Sequence, residues 1–178
     1  IAQYIVNDVF EYVTIDQMGS GKDGGFFTDG SFIQHSVTPY TGSYGLSLMT
    51  NLPRMFHTFN GTPFEITGDA TRNYFKWAYD RYFSVTYDNK FMANTFGRSI
   101  IDASEVGSYN SLVSGLIPMI DIAPDDLKEE YQSLIRTLMF RAGHDYSSSV
   151  PINFIQLAKD LYKDDSVRII DDYHITKV

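Results

Sequence analysis

Residues 23–45 contain the side chains of this sequence that are best suited to proton transfer. The segment reads DGGFFTDGSFIQHSVTPYTGSYG and holds His35, Tyr40 and Tyr44 in a glycine-rich run. An imidazole exchanges protons near neutral pH, and a phenol donates a proton or stabilises a developing negative charge. Because loops between rigid elements often carry functional residues, the segment is a candidate acid–base site. From residue types alone, a hydrogen-bonded His and a packed Tyr without chemistry is the more common outcome.

Other polar residues indicate chemistry less clearly. His57, His144 and His174 are far apart and lack the HxxxH or HxH spacing of a metal site. The run GSGKDGG at 19–25 lacks the spacing of a phosphate-binding loop. A carboxylate pair with the fixed separation of a glycoside hydrolase is not evident. We therefore predict neither a metal ion nor a cofactor.

Composition narrows the classes of function. The 178 residues carry a formal net charge of −8, which argues against a nucleic-acid partner because phosphate binding needs clustered Lys and Arg. Cysteine is absent, which excludes disulfides and thiolate nucleophiles. No apolar run reaches the ~18 residues that a membrane span needs. Aromatic residues reach 15%, which fits either a ring-rich core or a surface on which sugars stack.

The spacing of apolar residues predicts about six helices that position this loop. The predicted helices cover 1–15, 42–59, a segment from Asp69, a segment from Ser108, a segment from Pro124 to Gly143, and a segment after Pro151. Asp69 and Ser108 are predicted to cap their helices. Residues 17–42 are predicted to be loop, and 84–102 an extended loop with a short strand. Helix pairs of this kind fit a bundle or an α/α toroid.

The run DGSFIQHSVTPYTGSYG at 29–45 resembles the active-site motif of polysaccharide lyase family 8, the hyaluronate, chondroitin AC and xanthan lyases. The pattern is DGS, an aromatic residue, two residues, His, four residues, then YTGxYG. The run GRSI at 97–100 resembles the arginine loop of that family. The resemblance implies an all-α fold, an α/α toroid of antiparallel helix hairpins with long active-site loops. Residues 1–178 are expected to form the C-terminal part of such a toroid, cut from a longer protein.

The family resemblance also implies a reaction. A lyase of this family cleaves a uronate-containing polysaccharide by β-elimination, with His35 neutralising the uronate carboxylate and Tyr44 moving protons. Arg98 would hold Tyr44 or contact substrate, and Tyr40 and Asp29 would bind substrate. The resemblance further implies a secreted or cell-surface bacterial protein, and a catalytic Asn upstream of this chain. Without that Asn, the chain alone should have little activity.

The sequence departs from the family pattern at two positions of the arginine loop. Phe96 and Asp102 stand where basic residues are expected. These two residues favour an alternative, a non-catalytic carbohydrate-binding or scaffold module that retains the lyase motif.

Overall fold

The computed structural model describes residues 10–11, 24–28, 30–35 and 37–170. Most of the predicted helix at 1–15 and residues 171–178 lie outside these described residues. The described helices are α1 (Leu46–Phe59), α2 (Asp69–Trp77), α3 (Glu105–Leu116), α4 (Asp125–Ala142) and α5 (Ile155–Lys163). The prediction of a mainly helical chain is confirmed for this part of the molecule.

Short strands lie in the two segments between predicted helices. A three-stranded antiparallel sheet has the order β1 (Gly25–Phe26), β2 (Phe32–Gln34) and β3 (Thr38–Pro39). The prediction of plain loop over 17–42 is therefore wrong where this sheet forms. Strands of two or three residues are too short to show the alternation that identifies a strand. A hairpin of β4 (Thr86–Tyr87) and β5 (Lys90–Phe91) confirms the short strand expected within 84–102.

Tight helical turns connect the longer elements. Thr41–Gly45 and Ala78–Tyr82 are π-helical. The 3₁₀ turns are Ala93–Thr95, Gly97–Ile101, Ile117–Asp121 and Ile152–Phe154.

Two of the predicted helix starts are wrong by a short distance. The cap of α3 is Ser104, whose hydroxyl accepts a hydrogen bond from the Gly107 N–H at 3.0 Å, so Ser108 lies inside the helix. At α2 the cap position is Gly68, with φ +66°, and Asp69 is the first helical residue. A carboxylate in that first turn still interacts favourably with the helix dipole.

The other predicted ends of α4 and α5 are confirmed. Pro124 immediately precedes α4, and Gly143 ends it in the left-handed conformation with φ +74°. Glycine adopts this conformation without a steric penalty, which explains its use as a helix stop. Pro151 immediately precedes the 3₁₀ turn that continues into α5.

The core lies between the helices, with α1 packed on α3, α3 on α4, and α4 on α5. The α1–α3 contact is close because a Cβ added at Gly115 would lie 3.1 Å from the Cα of Thr50. The helices bury side chains with no measurable exposure, among them Leu112, Val113, Leu116, Leu134, Ile135, Leu138 and Met139. Burial of this kind is the main favourable contribution to folding.

Six of the ten described tyrosines are buried in this core. These are Tyr40, Tyr74, Tyr82, Tyr109, Tyr131 and Tyr146. Burial raises the pKa of Tyr74, Tyr82 and Tyr131, so these phenols stay protonated and donate hydrogen bonds. Tyr131, for example, donates to the carbonyl of Leu116 at 2.9 Å. The ring-rich core therefore accounts for these tyrosines.

Aromatic stacking fixes the small sheet on α2. Trp77, which is 1% exposed, stacks on Phe26 with ring centroids 4.1 Å apart. Phe26 also meets Phe32 edge to face at 5.0 Å, so β1 and β2 are joined through rings as well as backbone. The β2 strand leads directly into His35, and this stacking therefore sets where the candidate site begins.

Candidate active site

His35 lies in a tight turn between β2 and β3. Its φ is +52°, and its carbonyl accepts a hydrogen bond from the N–H of Val37 at 2.9 Å. The left-handed region is uncommon for residues other than glycine, although His enters it more readily than most. Backbone strain of this kind persists where surrounding structure enforces it, and it is concentrated at functional sites. The turn leaves the imidazole exposed.

Tyr44 is carried by the π-helical turn Thr41–Gly45 that leads into α1. The turn is closed by a hydrogen bond from the N–H of Gly45 to the carbonyl of Tyr40 at 3.0 Å. The buried Tyr82 hydroxyl donates to the carbonyl of Thr41 at 3.2 Å and anchors the turn to the core. Single π-helical turns are rare and often mark functional sites. The prediction that Tyr44 stands at the start of a helix is confirmed.

The two glycines of this turn are required by close neighbours. A Cβ added at Gly42 would lie 2.5 Å from the Thr95 hydroxyl oxygen, and one at Gly45 would lie 2.8 Å from the Tyr82 hydroxyl. Any side chain at either position would displace the turn that presents Tyr44. The TGSYG sequence thus has a steric basis in the fold.

His35, Tyr40 and Tyr44 form a cluster of three aromatic rings. His35 and Tyr44 meet at 5.5 Å between ring centroids, with their planes at 85°. Tyr40 meets Tyr44 at 5.0 Å and His35 at 6.0 Å, both edge to face. Edge-to-face contacts are favourable because the positive edge of one ring meets the negative face of another. The ring of Tyr40 is 2% exposed, whereas that of Tyr44 is 41% exposed, so Tyr40 forms the buried floor of the cluster.

Arg98 reaches this cluster from the 3₁₀ turn Gly97–Ile101. Its guanidinium donates a hydrogen bond to the hydroxyl of Tyr44 at 3.4 Å. The turn can approach this closely because Gly97 lacks a side chain, since a Cβ there would lie 2.3 Å from the Tyr40 ring. The φ of Gly97 is +58°, which also favours glycine. Sequence reasoning did not single out Gly97, although its position next to Arg98 in the GRSI run was a usable signal.

The structure brings together four of the five residues that the sequence singled out. His35, Tyr44 and Arg98 meet at the surface, and Tyr40 lies beneath them. Asp29 lies outside the described residues. Substrate binding by Tyr40 and Asp29 stays a prediction, and the burial of Tyr40 favours a positioning role.

The arginine loop contains one residue that packs inward and one that faces solvent. Phe96 is 1% exposed and meets the ring of Phe91 at 6.0 Å, so most of its side chain belongs to the core, although it also borders the cavity beside Tyr44. Asp102 is exposed and lines a cavity beside Tyr44. Of these two residues, Phe96 therefore contributes to the core, whereas Asp102 places a negative charge beside Tyr44.

The cluster combines an imidazole, a phenol and a guanidinium at one exposed position. A neutral imidazole or phenol exchanges protons, and a guanidinium binds a carboxylate through paired hydrogen bonds. Within the described ranges, no group of three or more His, Asp or Glu side chains comes together as a metal site. This arrangement is suited to removing a proton next to a carboxylate.

Comparison with protein families assigns the chain. Residues 1–137 match the model described as polysaccharide lyase family 8, N-terminal alpha-helical domain. The chain belongs to polysaccharide lyase family 8. It is 29% identical to the hyaluronate lyase of Staphylococcus aureus over 133 residues, which cover 74% of the chain and 16% of that lyase. This family 8 chain therefore spans about a sixth of the length of that relative.

Solved structures of family 8 enzymes show the same fold. A Paenibacillus xanthan lyase superposes with a TM-score of 0.78 at 22% identity, covering 94% of this chain and 16% of that one. The Streptomyces coelicolor A3 chondroitin AC lyase, in complex with chondroitin sulphate, superposes with a TM-score of 0.76 at 19% identity. That alignment covers 96% of this chain and 24% of the lyase. The prediction of an all-α chain with the α/α toroid architecture is confirmed.

Among the helices that the structure describes, none combines the length and apolar character that crossing a bilayer requires.

Proposed function

We propose that this chain works within a larger polysaccharide lyase that cleaves a uronate-containing polymer, such as hyaluronan or chondroitin, by β-elimination. The observation that carries the proposal is the convergence of His35, Tyr44 and Arg98 at one exposed position. Family membership and the similarity to a hyaluronate lyase support the choice of reaction and of polymer class.

The proposed reaction removes the proton at C5 of the uronate and breaks the C4–O bond. That proton is weakly acidic, and neutralising the neighbouring carboxylate lowers the barrier to its removal. We assign this neutralisation to His35, helped by an Asn elsewhere in the parent protein. A deprotonated Tyr44 takes the C5 proton, the electron pair forms the C4=C5 double bond as the C4–O bond breaks, and the phenol so formed gives that proton to the leaving glycosidic oxygen.

Arg98 has a positioning role in this scheme. Its hydrogen bond to the Tyr44 hydroxyl fixes the phenol oxygen in a single direction. A positioned acid–base group contributes far more to the rate than a freely rotating one. The guanidinium also remains close enough to the site to attract the uronate carboxylate.

Substitution of the proton-transfer residues tests the proposal in the full-length parent. The wild type should generate the ultraviolet absorbance of a conjugated unsaturated uronate from hyaluronan or chondroitin. His35→Ala and Tyr44→Phe should abolish this signal, whereas His144→Ala and Tyr87→Phe, at exposed positions outside the cluster, should retain it. Release of saturated sugars by the wild type would instead identify a hydrolase.

We further propose that residues 1–178 form the C-terminal part of the toroid, and that the chain alone has little activity because it lacks the upstream Asn. An extracellular location follows from a polymeric substrate that is found outside cells. A matched assay of the chain and its parent tests the dependence on the rest of the protein. Equal turnover by both would contradict it.

One observation favours a second candidate, a non-catalytic carbohydrate-binding module. Asp102 places a carboxylate in the cavity beside Tyr44, at a position of the arginine loop where a basic residue is expected for catalysis. Binding of uronate oligosaccharides by the parent without any unsaturated product would select this candidate.

A further inference from the structure

A cavity of about 390 Å³ lies beside Tyr44, between the beginning of α1 and the segment 96–108. This volume is within the range of roughly 300–1,000 Å³ that is typical of small-ligand sites. Its polar lining consists of Ser43, Tyr44, Ser47, Ser99, Ser108 and Asp102. The described lining includes no lysine, arginine or histidine. The cavity therefore presents hydroxyl groups and one carboxylate to a ligand.

These polar groups are available to bind. Within the described part of the chain, the hydroxyls of Ser47, Ser99 and Ser108 make no hydrogen bond. The hydroxyl of Ser43 makes only a long one, at 3.5 Å to the carbonyl of Phe96.

The carboxylate of Asp102 also forms no ion pair with any residue that the structure describes. The ion pairs formed between described residues join Arg72 to Asp126 and Arg136 to Asp165, so neither neutralises Asp102. The nearest cation in sequence is Arg98, whose guanidinium is directed to the Tyr44 hydroxyl.

We propose that this cavity is a subsite for the sugar next to the cleaved uronate, and that Asp102 restricts it to a neutral sugar without sulfate. The inference rests on the proposed function, because Tyr44 both contacts His35 and lines the cavity. A uronate held at His35 and Tyr44 would thus extend its neighbouring sugar into this space.

The chemistry of the lining explains the selectivity. A neutral sugar offers hydroxyl and amide N–H donors, which a carboxylate accepts, and hydroxyl acceptors, which serine satisfies. A sulfate in the same place would bring a second negative charge close to Asp102. No cation in the described lining offsets that repulsion.

The substrates for the test are chondroitin sulphate and chemically desulfated chondroitin, which differ only in the sulfate. In the parent lyase we expect kcat/KM to be about tenfold higher for the desulfated polymer, as expected from like-charge repulsion. Asp102→Asn should remove most of this preference, and Asp102→Arg should reverse it. Asp121→Asn, at an exposed aspartate that does not line the cavity, should leave the preference unchanged.

A binding measurement separates this inference from the lyase proposal. Titration calorimetry of the Tyr44→Phe parent with oligosaccharides of the two polymers reports affinity without turnover. Weaker binding of the sulfated ligand, relieved by Asp102→Asn, supports the subsite even if the wild type eliminates nothing. Equal affinity for both ligands, or a preference that Asp102→Asn leaves unchanged, overturns the inference whatever the activity.

Discussion

The guanidinium of Arg98 donates a hydrogen bond to the hydroxyl of Tyr44 at 3.4 Å, although 54 positions separate the two residues. The contact joins the π-helical turn before α1 to the 3₁₀ turn after the β4–β5 hairpin. This hydrogen bond brings the two turns together at one site. Substitution of either residue tests the contribution of the bond.

Removing this contact should reduce catalysis more than stability. For Arg98→Ala in the parent lyase we expect kcat/KM to fall about tenfold to a hundredfold, since a hydrogen bond to a charged group contributes about 1.5–3 kcal/mol. Arg98→Lys should recover only part of this loss because an ammonium cannot reproduce the planar fork. The control is Arg54→Ala, an exposed arginine on α1 outside the ring cluster. Equal losses in both alanine variants would contradict a specific role for Arg98.

A methyl group at Gly97 should disturb both the fold and the site. The added Cβ would lie 2.3 Å from the ring of Tyr40, and the φ of +58° disfavours alanine. We expect Gly97→Ala to lower the free energy of unfolding by about 2–4 kcal/mol, as measured by urea denaturation. Gly61→Ala is the matched control, because Gly61 has a φ of +69° but no neighbour within 4 Å. Gly61→Ala should lower the free energy of unfolding by about 1 kcal/mol. Similar values for both variants would exclude steric overlap with Tyr40 as the cause of the larger loss at Gly97.

The segment after α5 is held by Arg136. This residue is 4% exposed, and its guanidinium donates to the carbonyl of Val167 at 2.5 Å and to the Asp165 carboxylate at 2.8 Å. We expect Arg136→Met to lower the free energy of unfolding by about 1–3 kcal/mol, because the hydrogen bond to the Val167 carbonyl is lost. Amide hydrogen exchange over 165–170 should also accelerate.

The Asp165 partner provides an internal comparison. Its side chain is 98% exposed, so its charge is well screened by water. Asp165→Asn should therefore change stability by less than about 1 kcal/mol. A larger effect for Asp165→Asn than for Arg136→Met would show that the ion pair, and not the carbonyl contact, anchors the segment.

The pKa of Asp126 reports the ion pair between α2 and α4. The hydrogen bond and charge of Arg72, with the two groups 2.9 Å apart, lower the pKa of the Asp126 carboxyl below its ordinary value of 3.8. A lowered folded-state pKa means that the pair stabilises the fold above the ordinary value, and that this contribution is lost as pH falls through the folded-state pKa. Both groups are exposed, so the effect on stability should be small.

Titration by NMR measures this shift directly. Arg72→Gln should return the pKa of Asp126 towards 3.8, while the pKa of Asp145, lowered mainly by the N–H and hydroxyl of Ser147, should stay low. An unchanged Asp126 titration would show that Arg72 is not its partner in solution.

The sequence by itself determined features that depend on neighbouring residues. The apolar spacing of Leu127, Tyr131, Leu134 and Leu138 predicted α4, and Gly143 ended it, because helix periodicity and left-handed glycine stops are local properties. The spacing from His35 to Tyr44 carried the resemblance to polysaccharide lyase family 8 for the same reason, since a motif is read along the chain.

Tertiary structure decided which of those residues a ligand can reach. Tyr40 and Tyr44 are four positions apart and chemically identical, yet one is 2% and the other 41% exposed. Phe96 is buried and Asp102 is exposed, although both stand in one unusual loop. In each case burial depends on elements distant in sequence, and the free energy of packing them together outweighs the weak local preference of a single residue.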